Sequence, residues 1–332
     1  EQGNLKRRVL VYGAGRKAET TLSSMRRASD RRSFEFVGFI HIDGEDDAID
    51  SHRVVALPDT GEALYDYVKA NRIDQIVIAA DDKRNRLPID QLLKCKLCGV
   101  QVEDVVSFFE REAGKIMLDF VTPGWMVFSD GFYLSTLSTI AKRSLDLLAS
   151  FILLMFAWPV MLLTVLAIWA EDGIGAPFIY RQQRVGLDGK IFNVLKFRSM
   201  RCDAEKNGAQ WAKKNDDRIT KVGRIIRQCR IDELPQIINV LVGDMAFIGP
   251  RPERPEFVAE LSREIPHYSA RHYVKPGITG WAQLCYPYGA DQKAAGEKLQ
   301  FDLYYVKNHS LFLDFLIAVT TVEVVLFGKG AH

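Results

Sequence analysis

The sequence has little cysteine, no surplus of charge of either sign, and one long apolar run only. Its 5 cysteines in 332 residues are odd in number and scattered. That argues against a disulfide framework and suits a reducing compartment. Cys95 and Cys98 form a C-x-x-C pair near the end of a helical pattern, with no second pair to complete a zinc site. They are expected to be ordinary, part-buried cysteines. Lysine and arginine number 44 against 42 acids, a net charge of +2. This balance excludes a nucleic-acid binder built on one dominant basic face, so no nucleic acid is expected as a partner. No secretory signal opens the chain, and neither does a methionine, so a trimmed stretch of a longer protein is expected.

The length predicts two domains. In the first, residues 5–115, Val9-Leu-Val-Tyr-Gly13-Ala-Gly15-Arg-Lys-Ala18 reads as a strand, a glycine turn and a helix start. Strand-like runs recur at 36–42, 54–57, 76–80 and 100–105, with helical patterns between several of them. Such alternation predicts an α/β, Rossmann-like parallel sheet with helices on its faces. The G-x-G-x-x-A turn is the weak form of a dinucleotide signature, in which Asp43 would reach a ribose. A tight turn that holds no ligand is an equal expectation. Tyr65 and Lys69 match a Y-x-x-x-K spacing but lie too close to the glycine turn for a dehydrogenase, and read as a solvated helix face.

Residues 116–140 form a linker rich in aromatic and apolar side chains, suited either to a lipid interface or to domain packing. Between 147 and 170 no residue is charged. A straight helix over that span would be about 36 Å long, enough to cross a hydrocarbon core of about 30 Å. Pro159 interrupts it, and each arm alone, about 18 Å, is too short to cross. Cations stand at both ends, Lys142 and Arg143 before and Arg181, Arg184, Lys190 and Lys196 after. Positive residues favour the cytoplasmic side, so residues 141–172 are expected to be a re-entrant helix hairpin broken at Pro159; a kinked spanning helix is the alternative.

Residues 173–332 hold the stretch around which the chain is organised. Asp232-Glu233-Leu-Pro235 opens an apolar helical pattern, with Ile237, Ile238, Leu241 and Val242 expected on one buried face and Gly243 as its stop. The helix is expected to begin near Asp232, since proline is tolerated in a first turn. The plain reading makes Asp232 an N-cap and Glu233 a dipole-complementing acid. The sharper one makes them a catalytic pair, one attacking phosphorus and the other holding a divalent metal. Arg227, Arg251 and Arg254 would then be the positive clamp that phosphoryl transfer needs. Lys196, with Arg198 and Arg201, reads as a solvated strand edge or a basic floor for phosphate. Asp302, read alone, is a surface acid.

Taken together, Lys142-Arg-Ser-Leu-Asp146, Arg181-Gln-Gln-Arg184-Val-Gly186, Lys196-Phe-Arg198, Asp232-Glu-Leu-Pro-Gln236, Gly249-Pro-Arg-Pro252, Lys275-Pro-Gly-Ile-Thr-Gly-Trp281 and Phe301-Asp302 occur in an order that resembles the monotopic bacterial sugar transferases. These are polyprenyl-phosphate phosphoglycosyl transferases, and the resemblance covers roughly residues 138–332. It implies an α+β monotopic transferase domain, with Asp232 as the nucleophile that takes a phosphosugar from a UDP-sugar and releases UMP. Polyprenyl (undecaprenyl) phosphate then accepts the phosphosugar. It also implies Glu233 as a ligand of Mg²⁺, and Lys196, Arg227, Arg251 and Asp302 near the substrates. The location implied is the cytoplasmic face of the bacterial inner membrane, in contact with membrane lipid, and a homodimer is possible. Cys285-Tyr-Pro-Tyr288 looks like the exopolysaccharide branch, where glucose and galactose phosphates are the usual cargo. In long-form members a Rossmann-like domain precedes the transferase and itself follows four membrane helices. The alternative is an inactive, membrane-bound nucleotide-sugar sensor or scaffold; an oxidoreductase using the glycine turn lacks a downstream proton-transfer residue. Residues 311–327, apolar but interrupted by Asp314 and Glu323, suit an amphipathic helix lying on the membrane or against the domain.

Overall fold

Val9 and Leu10 have no exposed surface and Val11 almost none, because the strand they share is covered on both faces. The computed structural model describes residues 6–25, 33–58, 61–81, 87–121, 123–132, 135–201, 204, 217–286 and 292–327. Tyr133, Leu134, Pro287 and Tyr288, which carry parts of the linker and branch readings, lie outside the described residues. The chain divides into two compact units, Glu1–Phe128 and Ser129–His332. The division falls within the 116–140 stretch.

The first unit contains β1 (Arg7–Tyr12), α1 (Arg16–Ser24), β2 (Phe34–Ile40), β3 (Val54–Val55), α2 (Ala63–Ala70), β4 (Gln75–Ile78), α3 (Ile89–Leu97), β5 (Gln101–Asp104), α4 (Val105–Ala113) and α5 (Pro123–Phe128). The strands form one sheet in the order β3-β2-β1-β4-β5, and every pairing is parallel. Two apolar clusters cover its two faces. One joins Val9 and Val11 to Ala18 of α1 and Phe108 and Phe109 of α4. The other joins Leu10 and Ile76 to Leu64 of α2 and Leu92 of α3. Phe120 and Trp125 pack on the first cluster, whereas Val127 and Phe128 are exposed.

Gly13 stands at φ +122°, and a Cβ there would come within 2.8 Å of the Ala79 carbonyl, so β1 and β4 approach as closely as they do only through glycine. The next turn holds a carboxylate where the dinucleotide reading places a phosphate. Asp81 accepts hydrogen bonds from the backbone N–H groups of Arg16 (2.8 Å) and Lys17 (3.1 Å), which are the free donors of the α1 N-terminus. Any Cβ on Gly15 would collide with the Asp81 carboxylate. Asp43 is fully exposed and lies 3.6 Å from the His41 ring. Tyr65 and Lys69 sit on α2 as a partly solvated face, and of the two cysteines of α3 and its cap, Cys95 is buried and Cys98 exposed.

The second unit begins with α6 (Thr136–Asp172), capped by the Ser135 hydroxyl, which accepts from Ser138 N. It starts before the expected residue 141, and Pro159 lies inside it rather than between two separate helices. One missing N–H removes a single main-chain bond, and the long apolar arms on either side carry the helix through. α6 is long and apolar enough to cross a membrane, and Phe151, Phe156, Trp158 and Leu163 stand exposed on it. Both ends are tied to the rest of the second unit. A hairpin follows, β6 (Ile179–Val185) and β7 (Ile191–Phe197), turning as expected at 186–190. Then come α7 (Lys221–Gln228), α8 (Gln236–Val242), β8 (Ala246–Ile248), α9 (Pro255–Glu264), β9 (Gly277–Thr279), α10 (Trp281–Cys285), α11 (Gln292–Asn308) and α12 (Leu311–Phe327).

Two expectations about α8 are corrected. The helix begins at Gln236, and Asp232 lies ahead of it in a 3-10 turn, Ile231–Glu233, that Arg230 enters at φ +58°. Asp232 therefore caps no helix. Its buried face is made by Ile237 and Val240, with Asn239 between them, while Ile238 (40%) and Val242 (72%) are exposed. Gly243 ends the helix in the left-handed region, as expected. α12 is two-faced: Leu313 and Ile317 are buried against Tyr305 and Ile248, and Phe312, Phe315 and Val322 are exposed.

Candidate active site

The acidic pair is brought together with Lys196 and Arg251 by two small devices. Asn239 is the first. Its side-chain carbonyl accepts from Leu195 N (3.0 Å) and its amide donates to Asn193 O (2.8 Å), so α8 is clamped to β7. β7 carries Lys196, and the 3-10 turn leading into α8 carries Asp232 and Glu233. The sequence signal was present, a polar residue within an apolar helical stripe, but its partner strand could not be read from spacing. The second device is the parallel pairing of β8 and β9. Gly249 N donates to Thr279 O at 3.0 Å and Gly277 N to Pro250 O at 3.0 Å. A Cβ on Gly277 would strike Gly249 N, and one on Gly280 would strike Gly249 O. Close backbone contact is the reason for glycine in these motifs, and it delivers Arg251 to the acids.

Glu233 is the hub. Its Oε1 receives Lys196 Nζ at 3.0 Å and Arg251 Nη2 at 3.1 Å, while Oε2 is 3.8 Å from Arg230 Nη1. Burial opposes its charge, yet Arg251, Lys196 and Arg230 overcome this and bring the carboxyl down to about 2. Asp232, 8% exposed, shifts the other way. Burial raises its carboxyl and the neighbouring Glu233 charge raises it further, against the pull of Lys196, Arg227 and Arg230. Among the described residues its carboxylate makes no hydrogen bond or ion pair. Two adjacent acids thus hold different states: one is locked in an ion-pair cluster, the other is buried and disengaged. Environments that push two neighbouring carboxyls apart give them different chemical roles.

Beside Glu233 a basic pocket is lined by Arg184, Lys196, Arg251, Gln236, Pro252 and Gly277. Arg184 is held there by Glu253 (3.3 Å) and by the Pro252 carbonyl (3.0 Å). Burial lowers the Lys196 ammonium from its usual range, with Glu233 opposing. The remaining predicted residues are placed differently. Arg227, in the last turn of α7, acts on Asp232 through its charge. Arg254 lies over the Phe257 ring, and its charge acts on Arg184 of the pocket. Arg198 pairs with Asp172 at the end of α6 (2.5 Å). Asp302, read alone as a surface acid, is only 3% exposed and pairs with Arg271 at 2.8 Å. Burial pushes its carboxyl up to about 6 even beside that cation. It was misread because the fold, not the local pattern, buries its face of α11.

The elements around the acid pair hold both ends of α6. At one end Asp146 accepts from Phe247 N (3.2 Å), and Arg143 donates to the carbonyls of Val240 (2.6 Å) and Leu241 (2.8 Å). Lys142 pairs with Asp314 of α12 at 2.6 Å. At the other end Glu171 accepts from Lys221 N (2.8 Å) and Val222 N (2.9 Å), capping α7.

Residues 137–328, more than half of the sequence, match the family described as bacterial sugar transferase. The chain belongs to this family. Among similar curated proteins, a UDP-N-acetylgalactosamine-undecaprenyl-phosphate N-acetylgalactosaminephosphotransferase of Aeromonas hydrophila is 39% identical, covering 84% of this chain and 63% of its own length. A UDP-glucose:undecaprenyl-phosphate glucose-1-phosphate transferase of Xanthomonas campestris pv. campestris is 36% identical over 82% of this chain and 57% of its own. An undecaprenyl-phosphate glucose phosphotransferase of Komagataeibacter xylinus is 31% identical over 98% and 60% respectively. The chain thus spans about three fifths of the length of these relatives. The family match begins at the first turn of α6 and takes in the acid pair, Lys196, Arg251 and Asp302, so the sugar-transferase portion is the second unit.

Proposed function

We propose that this chain transfers a sugar-1-phosphate from a UDP-sugar to polyprenyl phosphate through a covalent intermediate on Asp232, at the cytoplasmic face of the bacterial inner membrane. The observation that carries the reading is the split between the two acids. Asp232 is buried, disengaged and flanked by cations, and Glu233 is held ionised by Lys196 and Arg251. A disengaged carboxylate is a competent nucleophile once it is positioned and its approach to phosphate is shielded by positive charge. In the first step an Asp232 oxygen bonds to the sugar-linked phosphorus, the phosphoanhydride bond breaks, and UMP leaves with the bridging oxygen. In the second an oxygen of polyprenyl phosphate bonds to the same phosphorus and the acyl-phosphate bond breaks, restoring the carboxylate. Lys196, Arg251 and Arg184 of the pocket bind the diphosphate, and Arg227 screens Asp232. The names of the relatives support both substrates, with N-acetylgalactosamine or glucose as the sugar. A role in exopolysaccharide assembly is part of the same proposal.

Mg²⁺ fits the acid pair. No cluster of three or more metal-ligating side chains occurs among the described residues, but Mg²⁺ needs only one or two carboxylates together with substrate phosphates. Glu233 Oε1 is occupied by Lys196 and Arg251, whereas among the described residues Oε2 has only the exposed Arg230 at 3.8 Å, so Glu233 would hold the ion through Oε2. When bound, the ion would offset charge on the diphosphate.

The re-entrant path of α6 belongs to this proposal. Its support is that Arg143 and Asp146 at one end, and Glu171 and Asp172 at the other, bind the same unit. A helix whose two ends grip one soluble body serves that body from one leaflet, and the acceptor's phosphate lies at that surface. Incubating the detergent-purified chain with UDP-glucose, UDP-galactose and UDP-N-acetylgalactosamine, Mg²⁺ and undecaprenyl phosphate should release UMP. Asp232→Asn should abolish release, and intact-mass spectrometry should find a phosphosugar adduct on the wild type alone. Turnover surviving in Asp232→Asn would remove Asp232 as the nucleophile, and failure of the wild type to release UMP from any donor would leave the scaffold reading.

A further inference from the structure

Arg271 belongs to none of the motifs that point to the acid pair. It lies in a 3-10 segment, Tyr268–Tyr273, and its side chain is 7% exposed. Its guanidinium is shared among three partners. Nη1 donates to Tyr268 Oη at 2.6 Å, and Nη2 donates to the main-chain carbonyl of Arg251 at 2.8 Å and meets Asp302 Oδ2 at 2.8 Å. We propose that Arg271, braced by Asp302 and Tyr268, is the positioning residue for Arg251: by holding the Arg251 carbonyl it fixes where the Arg251 guanidinium meets Glu233 and lines the basic pocket.

The stretch it holds has no regular structure of its own. Residues 250–254 run between β8 and α9, and prolines before and after Arg251 supply no N–H with which to join a ladder. The stretch is tied through its carbonyls instead. Pro250 O accepts from Gly277 N, Pro252 O from Arg184 Nη1 and Glu253 O from Val185 N. Arg251 O accepts from Arg271. An ion pair as deeply buried as Arg271–Asp302 is a poor device for stability alone, because desolvation offsets most of its attraction. A planar guanidinium that reaches three fixed partners is well suited to setting one carbonyl in place. Asp302 then acts through Arg271 and not on substrate.

This inference rests on the proposed reaction, and a double-mutant cycle separates the two. Arg271→Lys keeps the charge opposite Asp302 but cannot reach Tyr268 and the Arg251 carbonyl at the same time. The readouts, on the whole purified chain, are donor KM and kcat for UMP release and the affinity for UDP by calorimetry. Loss of a buried, charge-assisted bond predicts roughly a tenfold or greater weakening of UDP binding in Arg271→Lys. In an Arg251→Ala background Arg271→Lys should weaken binding no further, because the group it positions is gone. Equal losses in both backgrounds would make Arg271 a general brace of the core and overturn the proposal, as would unchanged UDP affinity in Arg271→Lys. If that variant does not fold, Tyr268→Phe removes one of the three bonds and enters the same cycle with a smaller loss. If the wild type releases no UMP from any donor, the reaction falls, and coupling between positions 251 and 271 is still read from binding of inorganic pyrophosphate.

Discussion

Glu233→Gln should expose how much of the site is held together by one carboxylate. The substitution keeps the shape and removes the charge. Lys196 and Arg251, each of which pulls against the other's charge, then share no anion. The Glu233 side chain is only 13% exposed, but Arg251 (39%) and Arg230 (69%) reach solvent, which screens part of their attraction. A fall from the usual 4.5 to about 2 therefore corresponds to at most about 3 kcal/mol of stabilisation of the folded state. The sign follows from the direction of the shift. A carboxyl whose folded value is depressed contributes fully above its unfolded value near 4.5, and that contribution is lost as pH falls from there toward 2. Thermal unfolding of wild type and Glu233→Gln, followed from pH 7 down to pH 3, should therefore show the variant less stable at pH 7 and the gap closing below about pH 4.5. A gap that stays constant with pH, or a variant more stable than wild type at pH 7, would refute the ion-pair cluster as the source of the shift. Activity should fall as well, since Arg251 and Lys196 lose the anion that spaces them.

Gly277→Ala places a methyl against Gly249 N, so β8 and β9 must part. We expect a loss of about 1–3 kcal/mol by denaturation and a larger proportional loss of kcat/KM, because Arg251 shifts with Gly249; a variant stable and active as wild type would dismiss the close contact. In a cysteine-free background, Leu137→Cys and Ile174→Cys, both on exposed sites flanking the apolar run, should react with an impermeant maleimide from the same side of sealed membrane vesicles. Labelling from opposite sides would mean that α6 spans. In the first unit Asp81 occupies the α1 N-terminus, so calorimetry of the whole chain with NAD(H) should show no binding, and measurable affinity would show that Asp81 yields its place to phosphate.

Local pattern reached far into the second unit. The stop of α8 at Gly243, the hairpin turn at 186–190 and the apolar run of α6 each depend on a few neighbouring residues, and a sequence displays those directly. It was less able to say which side of a helix would be covered. Ile238 and Val242 share the periodicity of Ile237 and Leu241 but are exposed, because the surface α8 meets is β7, reached through Asn239. Asp302 was misplaced for the same reason: burial depends on what packs against α11, and Arg271 is distant in sequence.

The amino-acid order alone settled that two adjacent acids would stand between arginines beside a short helix that stops at Gly243. It settled this because backbone geometry and charge are properties of short stretches. Only the tertiary structure decided that Lys196 and Arg251 would close on Glu233 and leave Asp232 disengaged, and that both ends of α6 would grip one body. Those outcomes are distances between residues far apart in the chain, and they are fixed by packing that no single stretch contains.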